Sequence, residues 1–236
     1  MSSVHKNVRF TDLGHLDYMA SWDLQEKICA SLVEARITGR FDAVSHHLMF
    51  VEHPHVYTLG LNGNSGNLLM EPEFLQKIGA SYYKTNRGGD ITYHGPGQLV
   101  AYPILNIEAF AKGIRDYIFM LEAAVIKFLK TYQIDAGRLS GATGVWLEPE
   151  TSRARKICAI GVRASRGISM HGFAFNVNTD LNYFNYINPC GFTDKGVTSL
   201  AKELGFELPM DVVKSKLKEA IGEVFEMNFS QDVFIE

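Results

Sequence analysis

Apolar residues at Leu16, Met19, Leu24, Ile28 and Leu32 recur at roughly helical spacing, which predicts an amphipathic helix over residues 16–35 covering one face of a core. Cys29 falls inside it and reads as a small core hydrophobe. The period then shortens. Residues 47–52 and 56–59, rich in β-branched and aromatic side chains and interrupted at Pro54, predict two strands forming a hairpin or one bent strand. Residues 62–67 alternate glycine with asparagine and read as a surface loop, expected to order only with a ligand. A short helix is predicted over 72–78 and strand-like runs over 81–85 and 99–105.

The helical stripe reappears most cleanly at Ile114, Tyr117, Ile118, Leu121, Val125, Phe128 and Leu129. Strands follow over 144–148, 156–164 and 170–177, separated by polar turns at 148–155 and 165–169, the pattern of an antiparallel meander. Helices over 198–204 and 209–225 end the pattern, the second with Val213, Leu217, Ile221, Val224 and Phe225 on one side. There is no internal repeat and no linker-like stretch. Strands grouped between helices predict an α+β fold, a mixed or antiparallel sheet flanked by helices and packed on one side by them, in a single domain over residues 1–236.

One stretch fits neither period. Residues 87–98, Arg-Gly-Gly-Asp-Ile-Thr-Tyr-His-Gly-Pro-Gly-Gln, place four glycines and a proline between two strand-like runs, which predicts a tight, backbone-rich turn. Pro96 pushes Gly95 out of the helical region and stiffens the loop. A plain glycine-rich hairpin is the alternative, but it has no use for Arg87, Asp90, Tyr93 and His94 together; the stretch reads as a ligand-holding loop. It contains neither a GxGxxG fingerprint nor a Walker lysine.

Composition narrows the classes. At 236 residues, 46% apolar and 21% charged, the chain can bury a substantial core. A net charge of −3 argues against a dedicated nucleic-acid binder. No run of about 18 apolar residues is present, and residues 1–10 lack the apolar core of a signal peptide, so no membrane association and a cytoplasmic location are expected. Three cysteines, Cys29, Cys158 and Cys190, are too scattered for a disulfide framework or a CxxC zinc site.

Chemistry can be sought in five places. Asn188-Pro189-Cys190-Gly191 sets a thiol between a proline and a glycine, where an accessible nucleophile would sit. Lys156 begins the otherwise apolar run Lys-Ile-Cys-Ala-Ile-Gly and is either functional or a snorkelling strand-edge lysine. His94 and His171 each precede a glycine and are either cleft-lining or structural. His46, His47, His53 and His55 have no carboxylate or cysteine at ligand spacing, so no metal is expected and a solvated sheet edge is the reading. The alternation in residues 173–178 is that of a half-buried strand offering Asn176 and Asn178 to a ligand.

With Glu52-His53-Pro54, Arg87-Gly88-Gly89, Tyr93-His94-Gly95-Pro96-Gly97-Gln98, Lys156-Ile157, Gly161-Val162, His171-Gly172, Asn188-Pro189-Cys190-Gly191 and Val197-Thr198-Ser199-Leu200, nearly the whole chain resembles the octanoyl-(acyl-carrier-protein)–protein N-octanoyltransferases, the lipoyl(octanoyl) transferases of lipoate biosynthesis. The resemblance implies the biotin/lipoate protein ligase fold, Cys190 as the thioester nucleophile and Lys156 as the residue that lowers its pKa. It implies substrate contacts from Arg87, Gly88, Gly89, Asp90, Ile91, Thr92, Tyr93 and His94, from Ala159, Ile160 and Gly161, and from His171, Gly172 and Phe173. It further implies no cofactor and no ATP, an octanoyl-acyl carrier protein as donor, lipoyl domains of 2-oxoacid dehydrogenase complexes and the glycine cleavage H protein as acceptors, and a monomer. Arg87, Arg163 and Arg166 are the cations expected to attract an acidic acceptor.

Two positions depart from the family pattern: His55 stands where a second proline is usual, and Cys158 puts a second thiol on the Lys156 strand. Two other functions compete. An ATP-dependent lipoate or biotin ligase would activate a free acid without Cys190, and a non-catalytic lipoyl-domain binding module would keep its role when Cys190 is replaced.

Overall fold

The computed structural model describes residues 6–40, 45–188 and 195–230. Its spine is a sheet whose central strands are buried at nearly every position and carry apolar runs: β2 (His46–Glu52), β6 (Gln98–Ile104) and β10 (Ile168–Asn176). Successive residues of a strand face opposite ways, so an unbroken apolar run requires cover on both faces. Leu48, Phe50, Leu99, Ala101, Phe173 and Phe175 pack to one side, against α4 (Ile114–Lys130) and α6 (Met210–Phe225). Their neighbours Met49, Val51, Val100, Tyr102, Met170 and Ala174 pack to the other, against Cys29 and Leu32 of α1 (Tyr18–Thr38). The expectation of helices packed on one side is therefore corrected: α1 covers a second face.

Each long helix forms where its stripe predicts. In α1 the Asp17 side chain accepts from the Met19 and Ala20 N–H groups, and Gly39 ends the helix at φ 68°. Of the α4 stripe, Tyr117, Leu121, Val125, Phe128 and Leu129 are fully buried.

The remaining strands of the large sheet are β1 (Asn7–His15), β7 (Ala136–Leu139), β8 (Ala142–Leu147), β9 (Arg155–Ser165), β11 (Gly196–Val197) and β12 (Asn228–Ser230). Their order is β12-β1-β2-β6-β10-β9-β8-β7, with β11 alongside β9. The β8-β9-β10 meander is antiparallel as expected. The β9–β10 turn closes on Arg166 and Gly167, both at positive φ, which suits the twist of a tight hairpin. A second sheet, β4-β3-β5, is built from β3 (Val56–Leu59), β4 (Ser81–Lys84) and β5 (Ile91–His94). Between β3 and β4 runs α2 (Pro72–Lys77); α3 (Ile107–Phe110) precedes α4, and α5 (Leu200–Leu204) precedes α6.

Two expectations change here. Residues 47–52 and 56–59 are neither a hairpin nor one bent strand, because β2 belongs to the large sheet and β3 to the small one; His53-Pro54-His55 carries the chain between them. Residues 87–98 are not one turn, since β5 lies inside them, antiparallel to β3. The asparagine-rich loop is also tied down: Asp90 accepts from the backbone N–H groups of Asn64 and Ile91 and from the Asn67 side chain.

Phe128 has no exposed surface, whereas Phe206 is 59% exposed. Truncating a buried phenylalanine removes its transfer energy and leaves a cavity, so Phe128→Ala is expected to cost about 3–5 kcal/mol. Phe206→Ala should change stability by less than about 0.5 kcal/mol. Urea unfolding of the two variants checks the contrast.

Candidate active site

The small sheet and its 87–90 loop lie against β9 and β10, and the approach is backbone on backbone. Gly88 N–H donates to Val162 O at 3.0 Å. A Cβ on Gly161 would sit 2.8 Å from Gly88 O, and one on Gly172 would collide with Ala101 O. Only glycine permits this stacking. Gly60 makes a similar approach to Gly89 O, and sequence reasoning missed it.

Beneath the seam lies a cavity of ≈ 480 Å³, within the usual range of small-molecule sites. From the loop and β5 it is lined by Arg87, Gly88, Gly89, Asp90, Ile91, Thr92 and His94. The large sheet adds Ala159, Ile160 and Gly161, then His171, Gly172 and Phe173. Tyr93 is the exception. Strand alternation sends it away from Thr92 and His94 into the small sheet's own core, where it stacks on Tyr183 and bonds His55 Nδ1 through its hydroxyl at 2.7 Å. It supports the wall and does not line it.

Arg87 is buried, so it is not an exposed cation for attracting an acceptor. Its Nε and Nη2 donate to Thr58 Oγ1 at 3.2 and 2.9 Å, Nη2 also to Thr58 O, and Nη1 to Gly88 O. Arg166 is exposed and Arg163 lies 3.7 Å from Glu26.

Thr58 also meets His94, and a chain of amides decides how. Asn176 Nδ2 donates to Thr198 O at 3.0 Å, which turns its Oδ1 toward Gln98 Nε2 at 2.9 Å. Gln98 Nε2 also donates to Tyr93 O, so Gln98 Oε1 faces His94 Nδ1 at 2.8 Å. His94 therefore carries its hydrogen on Nδ1 and offers Nε2 to the Thr58 hydroxyl. Burial, with His53 and Arg87 nearby, holds it well below the usual histidine range. Thr58, Tyr18 and Tyr102 escaped sequence reasoning, as did the part Gln98 plays in orienting His94. The available signal was a polar residue in an otherwise apolar strand, Thr58 in β3 and Gln98 in β6.

The histidines expected at a solvated edge are not together. His53 is fully buried between Leu16 O and the Tyr102 hydroxyl, each 2.8 Å away, and burial pushes it down to about 4. His46 is buried against Phe110, and His55 stacks on Tyr183. His46 and His47 lie in β2 of the large sheet and His53 and His55 in the chain that crosses to the small one, which is why no common edge forms.

Lys156 lies in the cavity wall, 9% exposed, with Nζ 4.7 Å from the centre of the Trp146 ring. Cys158 is fully buried in the core; Lys156 opposes the effect, but desolvation wins and pushes the thiol well above its ordinary value. Cys29 is on the buried face of α1, with its thiol likewise raised by burial and by Glu26. Neither is poised as a thiolate. Cys190 lies outside the described residues. The chain before it is anchored by Asn188 N–H on Asn67 O, and the chain after it by Val197, paired with Lys156. Phe184 and Val197 both line the cavity.

Residues 17–222 match the family described as the lipoyl protein ligase A/B catalytic domain. The chain is 55% identical to an octanoyltransferase of Bacteroides fragilis over 207 residues, 88% of this chain and 93% of that one. It is 50% identical to an octanoyltransferase of Flavobacterium johnsoniae over 228 residues, 94% and 98% of the two chains. Among solved structures it is similar to a bipartite lipoate protein ligase of Thermoplasma acidophilum, with TM-score 0.68 and 16% identity over 98% of this chain and 89% of the other. A lipoate-protein ligase A bound with ATP gives TM-score 0.70 and 16% identity over 98% and 90%. At such identity the structural likeness bears on the fold alone.

The buried histidines make stability depend on pH. His53 at about 4 and His171 at about 3 bind protons less readily folded than unfolded. Between the unfolded value of about 6.5 and those folded values the unfolded chain holds more protons, so stability falls with falling pH by up to about 1.4 kcal/mol per unit for each such histidine. Their contribution is complete above about pH 6.5. Urea unfolding across pH 4–8 should show that slope, and His53→Gln should flatten it.

Proposed function

The chain belongs to the lipoyl protein ligase A/B catalytic-domain family, and from that premise we propose that it transfers an octanoyl (or lipoyl) group from acyl carrier protein to a lysine of a lipoyl domain through a thioester on Cys190. The observation that carries this reading is the convergence of motifs far apart in the chain, Arg87 to Thr92 with His94, Ala159 to Gly161 and His171 to Phe173, on one cavity with Lys156 buried in its wall. Identity of about half to the two octanoyltransferases supports the acyl group.

In the first half-reaction the Cys190 thiolate attacks the thioester carbonyl carbon. A C–S bond forms to Cys190, the bond to the carrier's sulfur breaks, and the carrier leaves as a thiol after taking up a proton. In the second, a neutral lysine amine attacks the same carbon. A C–N bond forms, Cys190 departs as a thiolate, and the amine loses one proton. The amide is the more stable product, so no ATP is consumed. Lys156 contributes a positive charge that favours the thiolate.

Apolar walls including Val100, Ile118, Ile160, Val162 and Phe173 suit an eight-carbon chain. Its burial contributes on the order of 5 kcal/mol at about 0.8 per methylene, enough to prefer octanoyl over acetyl but weak against one methylene. Among the described residues no helix is long and apolar enough to cross a membrane. The enzyme works in the cytoplasm as a monomer and one catalytic domain, with the lipoyl domains of 2-oxoacid dehydrogenase complexes and the glycine cleavage H protein as acceptors and with Arg166 among the cations that meet them.

Incubation with octanoyl-acyl carrier protein should add one octanoyl group by intact mass, and Cys190→Ser should abolish it. An adduct mapped to Cys158 or Cys29, or activity on free octanoate that requires ATP, would overturn the reading. For Lys156, the rate of thiol alkylation against pH should rise at a higher midpoint in Lys156→Met than in the parent enzyme. Superposable profiles would make Lys156 a structural residue.

A further inference from the structure

His171 breaks the regularity of β10. Its φ is +58°, in the left-handed region that strains a non-glycine residue, yet it stays in register opposite Val162. On the other side Pro103 of β6 has no N–H, and the pairing of β10 with β6 stops at Phe173 and Ala101. The His171 N–H is taken instead by Gln25 Oε1 of α1, at 2.9 Å. Freed from the ladder, the imidazole lies beside Trp22 and reaches Asn86.

Two side chains, Glu26 and Asn86, then decide which ring nitrogen holds the hydrogen. Glu26 accepts from Trp22 Nε1 at 3.1 Å and lies 3.7 Å from Arg163. It also accepts from Asn86 Nδ2 at 3.2 Å. A carboxylate only accepts, so Asn86 presents its amino group to Glu26 and its oxygen to His171. That oxygen is 2.6 Å from His171 Nε2, which therefore carries the hydrogen. Burial beside Arg87 and Arg163 pushes the ring down to about 3 and keeps it neutral. Nδ1 is left with its lone pair, buried and without a partner among the described residues, on a residue that lines the cavity. An alkyl chain and a thioester have no donor to match it; an N–H group does.

We propose that His171 Nδ1 is the hydrogen-bond acceptor for an N–H group of the bound substrate, and that Asn86, oriented by Glu26, is the positioning residue that keeps it so. The assignment rests on the octanoyl-transfer reading above. Two sources of N–H take part in that reaction, the amides of the carrier's pantetheine arm and the amine of the acceptor lysine.

The test begins with the free enzyme, labelled with ¹⁵N and read by long-range proton–nitrogen correlation, which needs no turnover. His171 should be protonated on Nε2 with a bare Nδ1 from pH 5 to 8. Asn86→Ala should give a mixture of tautomers, and Glu26→Gln, which can offer Asn86 either an oxygen or an amino group, a smaller shift the same way. The second variant also serves if the first does not fold.

Octanoyl-pantetheine as donor and a lysine-containing lipoyl-domain peptide as acceptor then separate the half-reactions by intact mass. Asn86→Ala should slow one of them about tenfold, the loss of one hydrogen bond. A loss confined to acylation assigns the pantetheine amide, and one confined to release assigns the amine.

The proposal is overturned by a ring protonated on Nδ1, by an Nδ1 bonded to Gln25 Nε2, which has no partner among the described residues, and unmoved by either substrate, or by a changed tautomer with both half-reactions unslowed. Equal slowing of both also counts against it, as general damage. If the parent enzyme forms no adduct, the transfer reading fails and takes the substrate assignment with it, while the tautomer still decides what Asn86 does.

Discussion

The site depends on one close approach, the seating of Gly88 on β9 at Val162 and Gly161, with Gly172 and Ala101 in the next two strands. No side chain separates these backbones. The arrangement brings two sheets near enough to enclose a cavity without filling it with side chains. It also makes the wall stiff, because backbone atoms cannot adjust by changing rotamer. A single added methyl group would force β6, β10 or the loop to move.

Polar side chains hold what the glycines bring together. Arg87, Thr58, His94, Gln98, Asn176 and Thr198 are linked in sequence by hydrogen bonds across both sheets, and Thr198 N–H returns to Lys156 O. Each member is buried, and its orientation follows from the next one along. Such networks raise the penalty for any single wrong member, since a buried group without its partner costs about 1–3 kcal/mol. The chemistry thus sits on a frame with few alternative arrangements.

Much of this frame could be read from the chain. The α4 stripe and the β9–β10 meander followed directly from periodicity, because each is long and consistently patterned. The two-sided cover was present in β2 and β6 as unbroken apolar runs, a sign that was not used. Strand β5 was concealed by its length: four residues among glycines look like part of a turn. That loss carried into the site, since recognising β5 as a strand would have separated Tyr93 from Thr92 and His94 by alternation. Arg87 looked like a surface charge because nothing local announces Thr58, 29 positions away. The glycines were legible as special positions, but their partners were not, because close approach is a property of two distant backbones.

The charges around the cavity carry a consequence for the incoming nucleophile. Of the described residues lining it, Arg87 and Lys156 are the cations and Asp90 is the one carboxylate, already committed to Asn64, Asn67 and Ile91. His94 and His171 stay uncharged. Among the described residues two cations outnumber the one carboxylate, so an ammonium group would leave water for a lining of net positive charge. A free amine faces no such barrier. A lysine with its ordinary pKa of about 10.4 presents only about one free amine in a thousand near neutral pH. For the proposed transfer this lining would favour the acceptor in its reactive form over the far more abundant unreactive one.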